Sequence, residues 1–231
     1  MRKRAGLRVA LIAVLFALTA TLVAADFVLF RHEVVRGDGR GGSLVALTFD
    51  DGPDPVFTPA VLDILAAHGG RATFFVIGEH VEQHPDIVKR IIAEGHEVAH
   101  HTHRHPRVDE LGPGELTAEF DEALAALAEF DVEPIWYRPP RKALTFAQKR
   151  LARERGMRVA LWTRSVERSC FCSAEQAARV ITAETRPGDI LLAHDGRLDR
   201  SMTVEALPAI LEGLAARGLT CVTLSEMHGI Q

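Results

Sequence analysis

Leu44-Val45-Ala46-Leu47-Thr48-Phe49-Asp50-Asp51-Gly52-Pro53 is the stretch on which the reading of this chain turns. Its apolar first half reads as a β-strand, and Gly-Pro ends it with a turn. Two adjacent carboxylates stand at the junction. Each loses solvation at a strand end unless it binds something. An Asx-type turn accounts for one aspartate and leaves the other unexplained. A metal ligand beside a catalytic proton acceptor accounts for both.

Outward from this stretch, strands and helices alternate. Apolar or β-rich runs occur at Leu44–Phe49, Ala72–Ile77, His96–Ala99, Ile135–Tyr137, Arg158–Trp162, Asp189–Ala193 and Thr220–Leu224. Between them, apolar residues recur at helical spacing over Thr58–Ala67, Pro85–Ala93, Glu115–Phe130, Phe146–Arg155, Ala174–Ala183 and Val204–Ala216. Such alternation predicts an α/β fold with a parallel sheet and covering helices. Reactive residues fall at strand ends: Asp50-Asp51, His101, Arg138 and His194. Collecting four separate strand ends on one side calls for a closed or nearly closed sheet, a TIM-like barrel, whose active site lies at the C-terminal strand ends.

The 231 residues are 47% apolar, enough for one sizeable core. The net charge of −4 comes from interspersed charges. No basic stripe is present, so nucleic acid is not an expected partner. The N-terminal stretch is a separate object. Arg2, Lys3, Arg4 and Arg8 precede an apolar run from Val9 to Ala25, extended past Asp26 by Phe27–Phe30. Basic residues before an apolar segment stay on the cytosolic side, which places the rest of the chain outside. Val23-Ala24-Ala25 offers small residues for signal cleavage. Counted to Phe30, the run approaches the ~20 residues of a membrane span. Residues 1–30 therefore read as a signal peptide or a membrane anchor. Residues 31–43, with four glycines among charges, read as a flexible linker spanning on the order of 20 Å. Residues 44–231 read as the catalytic domain. An exported chain permits one disulfide and a leftover thiol among Cys170, Cys172 and Cys221; no fourth soft ligand stands near them to make a structural zinc site, and they are read as buried free thiols.

His101 and His105 are four apart in His101-Thr102-His103-Arg104-His105. On a helical turn such side chains share a face, with Cβ atoms ~5–6 Å apart. Adding one aspartate gives two imidazoles and one carboxylate with open positions, a set suited to zinc and used by other divalent metals. His103 lies off the shared face and is excluded. Successive strand residues point to opposite faces, so both aspartates cannot face one ion from a straight strand; the turn at Gly52-Pro53 could aim Asp51 at the ion while Asp50 faces the water.

These residues resemble the polysaccharide deacetylase family, also called the NodB-homology or carbohydrate esterase four family. The likeness runs from about Leu44 to the C-terminus. It rests on Thr48-Phe49-Asp50-Asp51-Gly52-Pro53, on His101-Thr102-His103-Arg104-His105 preceded by Gly95-His96-Glu97-Val98, on Tyr137-Arg138-Pro139-Pro140, and on Ile190-Leu191-Leu192-Ala193-His194-Asp195. The resemblance implies a distorted barrel of about seven β/α units. It implies that Asp51, His101 and His105 bind a divalent metal, with zinc expected, and that Asp50 is the base. It implies that Arg138 holds Asp50 ionised, that His194 is the acid at the leaving amine, and that Leu192 receives the acetyl methyl. The backbone N–H of Arg141 would stabilise the oxyanion, and Pro140 would join Leu192 and Arg141 in contacting substrate.

Two places depart from the family pattern. Arg141-Lys142 stands where an aromatic residue and glycine are common. After Trp162, the expected acidic positions fall on Ser165 and Arg168, with Glu167 one residue away. The expected function is metal-dependent N-deacetylation of N-acetylglucosamine-containing glycan, peptidoglycan first, outside the cytosol. O-acetyl ester hydrolysis and weakly active glycan recognition are the alternatives.

Overall fold

A computed structural model describes residues 34–37, 39, 42–167 and 171–230. The expected leader at 1–30, Arg168 and Cys170 lie outside the described residues. Among the described residues, no helix is long and apolar enough to cross a membrane.

Among the described residues, nine strands form one sheet: β1 (Val34–Val35), β2 (Leu44–Asp50), β3 (Thr73–Val76), β4 (Glu97–His100), β5 (Trp136–Tyr137), β6 (Arg158–Ala160), β7 (Arg164–Ser165), β8 (Ile190–His194) and β9 (Thr220–Val222). The order is β1-β6-β5-β4-β3-β2-β8-β7, with β9 joining the start of β2. The ladders among β2 to β9 are parallel. β6 lies near one end of this order and β7 at the other, yet only residues 161–163 separate them. That connection reaches at most on the order of 15 Å, so the sheet must curl until its ends approach. No ladder joins those ends among the described residues, and the result is a parallel half-barrel rather than a fully laddered barrel.

Helices cover the outer face: α1 (Phe57–His68), α2 (Gly78–Gln83), α3 (Pro85–Ala93), α4 (Pro113–Ala128), α5 (Phe146–Glu154), α6 (Ala174–Glu184), α7 (Ser201–Ala216) and α8 (Leu224–Met227). β2 shows how the two faces divide. Val45, Leu47 and Phe49 pack under the helices with Val61, Leu65 and Leu207. Ala46 faces the interior with Phe75, Ala99, Trp136 and Ile190. Alternation then puts Thr48 and Asp50 on that same interior face. A strand buried on both faces reads as a continuous apolar run, which is why Leu44–Phe49 stood out.

The structure corrects three expectations. Part of the linker belongs to the sheet: the Leu161 N–H donates to the Val35 carbonyl at 2.9 Å. Gly37 lies so close to the Gly188 carbonyl that an added Cβ would sit 2.4 Å from it. The last strand stops at Val222, because Thr223 and Glu226 cap each other and start α8. Cys172 is exposed, whereas Cys221 is buried and its thiol is pushed up to about 12 by burial.

Candidate active site

Register brings the reactive residues together. Asp50, the last residue of β2, pairs with His194, the last of β8. His100 at the end of β4 pairs with Tyr137 at the end of β5, so His101 and Arg138 leave the sheet side by side. Parallel strands deliver all of these to one edge. A cavity of about 430 Å³ opens there, lined by Asp50, Asp51, His101, His105, Leu192 and His194, and by Pro139, Arg141, Lys142, Trp162 and Ser165. Pro139 lines it and Pro140 does not; Pro140 is buried at the start of a 3-10 turn, Pro140–Lys142. A larger depression of about 550 Å³, near Val81, Pro85 and Phe130, holds none of these residues.

Backbone strain concentrates around the cavity. Seven non-glycine described residues have positive φ, and Asp51 (77°), Thr102, His105, Arg141, Lys142 and Arg197 border the site. Such a conformation costs on the order of 1–3 kcal/mol per residue and persists only when its surroundings enforce it. At Asp51 it breaks the strand alternation, and both aspartates face the cavity. Neighbouring groups enforce it. A ring nitrogen of His80 lies 3.0 Å from the Asp51 carbonyl, and the Asp195 N–H donates to the Asp50 backbone carbonyl at 3.1 Å. Gly196 lies against the same Asp51 carbonyl, where a Cβ would come within 2.3 Å. Gly196→Ala should therefore destabilise the fold by about 1–3 kcal/mol, lowering Tm by roughly 2–4 °C per kcal/mol. Gly114→Ala, in open space on α4, is the control and should not lower Tm; equal melting of the two proteins would remove this account of the turn.

Asp51, His101 and His105 offer ligand atoms that all lie within 4.8 Å of one another. The histidines meet through a loop, not the expected helical turn. Thr102 and His105 take left-handed backbone, and the Thr102 hydroxyl accepts the His105 N–H at 3.1 Å. The His101 Nδ1 donates to the Arg138 carbonyl at 2.8 Å, which leaves the Nε2 lone pair facing Asp51 at 3.6 Å. His105 Nε2 is 3.2 Å from the same Asp51 Oδ1. That oxygen is buried and has no aligned hydrogen-bond donor. Burial would raise the Asp51 pKa, but hydrogen bonding and charge from His101 and His105, when those rings are protonated, outweigh it and hold the carboxyl well below its usual range. An ionised, orphaned oxygen between two imidazoles fits a divalent cation. His103 turns away toward Glu122, at 3.7 Å. His100 packs between Phe120 and Tyr137, and burial pushes its pKa down to about 4.

Asp50 is held from behind. The Arg138 guanidinium, wholly buried, donates to Asp50 Oδ1 at 2.6 Å, to Thr48 Oγ1 at 2.9 Å and to the Ala160 carbonyl at 3.1 Å. It lies over Phe75, 3.9 Å from the ring centroid. Across the cavity, His194 Nδ1 meets Glu167 Oε2 at 2.5 Å. The carboxylate accepts, so Nδ1 carries a proton and Nε2 is the atom presented to the cavity. Burial alone would lower the His194 pKa. The Glu167 hydrogen bond and the charges of Asp50, Glu167 and Asp51 outweigh it, and the imidazole is held above its ordinary value.

Glu167 was the residue hardest to assign from the chain alone. Ser165 lines the cavity and Val166 is in the core, so period-2 alternation returns Glu167 to the side of Ser165. That was the available signal. Arg200 and Thr203 carried less. Their spacing of three puts them on one turn at the start of α7. There the Thr203 hydroxyl donates to Glu167 Oε1. Arg200 donates to Glu167 at 3.2 Å, to Asp51 Oδ2 at 3.0 Å and to the Gly196 carbonyl at 2.8 Å. One buried guanidinium thus ties the two halves of the site together. Asp195 lies beneath, bonded to Thr58 Oγ1 at 2.6 Å, and burial pushes its carboxyl up to about 7.

The chain is 36% identical over 186 residues to a peptidoglycan-N-acetylglucosamine deacetylase of Bacillus cereus, covering 80% of this chain and 87% of that one. It is 34% identical to a chitooligosaccharide deacetylase of Bradyrhizobium, over 87% of this chain and 97% of the relative. The fold superposes on a crystal structure of a peptidoglycan N-acetylglucosamine deacetylase with a TM-score of 0.80 at 32% identity, covering 86% of this chain and 93% of the other. The sequence profile of the polysaccharide deacetylases matches residues 37–160, and with a sheet that gathers their motifs at one edge, this chain belongs to the polysaccharide deacetylase family.

Proposed function

We propose that this protein removes the acetyl group from the amide nitrogen of N-acetylglucosamine residues in glycan, with peptidoglycan as its substrate, outside the cytosol. The observation that carries this reading is a single cavity with two aspartates and two imidazoles on one side and a carboxylate-supported histidine on the other. An amide resists hydrolysis unless water is deprotonated as it attacks and the departing nitrogen is protonated. Asp51, His101 and His105 would hold a divalent cation, zinc by the character of the donor set. When bound, such a cation polarises a carbonyl oxygen and acidifies water.

The chain's own groups do the rest. Asp50 takes the proton of the attacking water through the oxygen that Arg138 leaves unengaged. Arg138 pairs with Asp50 and fixes its direction. His194 carries a proton on Nε2 and gives it to the amine nitrogen as the C–N bond breaks. Leu192 lines the recess for the acetyl methyl, and the Arg141 backbone N–H stabilises the developing oxyanion. Residues 1–30 serve as signal or membrane anchor, delivering residues 44–231 and their sheet-bound N-terminal strand to the wall.

Acetate release from N-acetylated and O-acetylated oligomers tests the reading. Acetate with matching free amine is expected from the N-acetylated set, lost on chelation and regained with zinc. Acetate from the O-acetylated set alone would reassign the chain as an ester hydrolase. Glycan binding without any acetate release would make it a recognition module.

A further inference from the structure

The mouth of the cavity carries positive charge with no ion-pair partner among the described residues. Arg141 and Lys142 both line it and both are exposed. Neither forms an ion pair among the described residues. The acids of the site are already matched: Asp50 to Arg138, Asp51 to Arg200, Glu167 to His194 and Arg200. The remaining polar neighbour on that wall, Ser165, is neutral.

Local structure holds both cations at the rim. Positive φ at Arg141 (56°) and Lys142 (61°) is a left-handed pair that side chains with a Cβ rarely adopt. The Lys142 ammonium lies 5.1 Å from the Trp162 ring centroid, a cation–π contact that keeps it beside the cavity. Trp162 lines the same wall. The chain as a whole is acidic, at −4, so this patch runs against the overall field.

We propose that Arg141 and Lys142 form an anion subsite that selects glycans bearing a carboxylate next to the reacting N-acetylglucosamine, over neutral chitin-type chains. The subsite rests on the deacetylase reading and narrows its substrate class. Two carboxylates occur beside N-acetylglucosamine in cell-wall glycan: the lactyl group of the neighbouring sugar when its peptide is absent, and the acids of the stem peptide when present. A guanidinium and an ammonium on consecutive residues at one rim suit either, because both are planar anions reached from solvent.

Three substrates of matched sugar length separate the outcomes: a neutral N-acetylglucosamine oligomer, a peptide-free cell-wall glycan and a peptide-bearing one. The wild type should show higher kcat/KM on at least one anionic glycan, and that arm identifies the carboxylate. Arg141→Gln and Lys142→Gln should each cut the anionic-to-neutral ratio by about 2- to 5-fold, and the double variant by about 10-fold, as expected for partly exposed ion pairs. The loss should sit in KM, and added salt should shrink the wild-type ratio. Lys89→Gln, a remote exposed cation on α3, should leave the ratio unchanged. A wild-type ratio of one, or equal losses on neutral and anionic substrates, would overturn the subsite while leaving the deacetylase intact. Absence of acetate from all three would overturn the deacetylase reading itself and the subsite with it.

Discussion

Asp50→Asn should lower kcat by about 10²–10⁴-fold, the usual contribution of a positioned general base, with zinc still bound. The side chain keeps its size and an oxygen for Arg138, but it no longer accepts a proton from water. Zinc content separates this outcome from loss of the site, because Asp51, His101 and His105 are untouched. Stability will fall as well. Arg138 is wholly buried and Asp50 is its only acid partner among the described residues. Removing one member of a buried pair costs about 3–5 kcal/mol, since the other charge stays behind. Rates should therefore be measured well below the variant's Tm. Unchanged turnover in folded, zinc-loaded Asp50→Asn would remove the base assignment.

Glu167→Gln should move the alkaline limb of the pH–rate profile to lower pH and reduce kcat at neutral pH by at least 10-fold, within the range of acid catalysis. The sign follows from the geometry. His194 serves as the acid only while protonated. Its pKa is raised above the ordinary histidine value, so activity persists until the pH passes that raised value and is then lost. Burial opposes the shift, and the Glu167 contact is the strongest factor sustaining it. With glutamine in its place, burial gains ground and the proton leaves at lower pH. A bound cation would weaken the fields of Asp50 and Asp51 in wild type and variant alike, so the difference between the two profiles isolates Glu167. An alkaline limb that stays in place would show that His194 is not the group titrating there.

The contrast between these two residues shows how far the primary structure could be read. Asp50 was evident because its neighbours are covalent neighbours: strand, paired acids and turn lie in ten consecutive residues. The same holds for His101 and His105, although their meeting depends on a left-handed loop at Thr102 and not on a helix. Glu167 was obscured because the family pattern pointed to Ser165 and Arg168. Its role depends on β7 pairing with β8 at Ser165–Leu192, which carries the following residues past His194. The departure from the family pattern therefore does not leave His194 without a carboxylate. Arg200 was invisible for a stronger reason. Its partners Asp51 and Glu167 are 149 and 33 residues away, and no local pattern encodes that meeting.

Periodicity along the chain sufficed for seven of the nine described strands and for most helices, because burial repeats every two or three to four residues; contiguous motifs pointed to the candidate ligands and to Asp50, and the roles expected of Arg138 and His194 came from the family resemblance. Long-range packing was needed to curl the sheet, to recruit β1 from the expected linker, to put Pro139 instead of Pro140 at the cavity wall, and to supply Glu167 and Arg200. Those features follow from strand register and from charges seeking partners in a dry interior, and both arise between segments that the linear order keeps far apart.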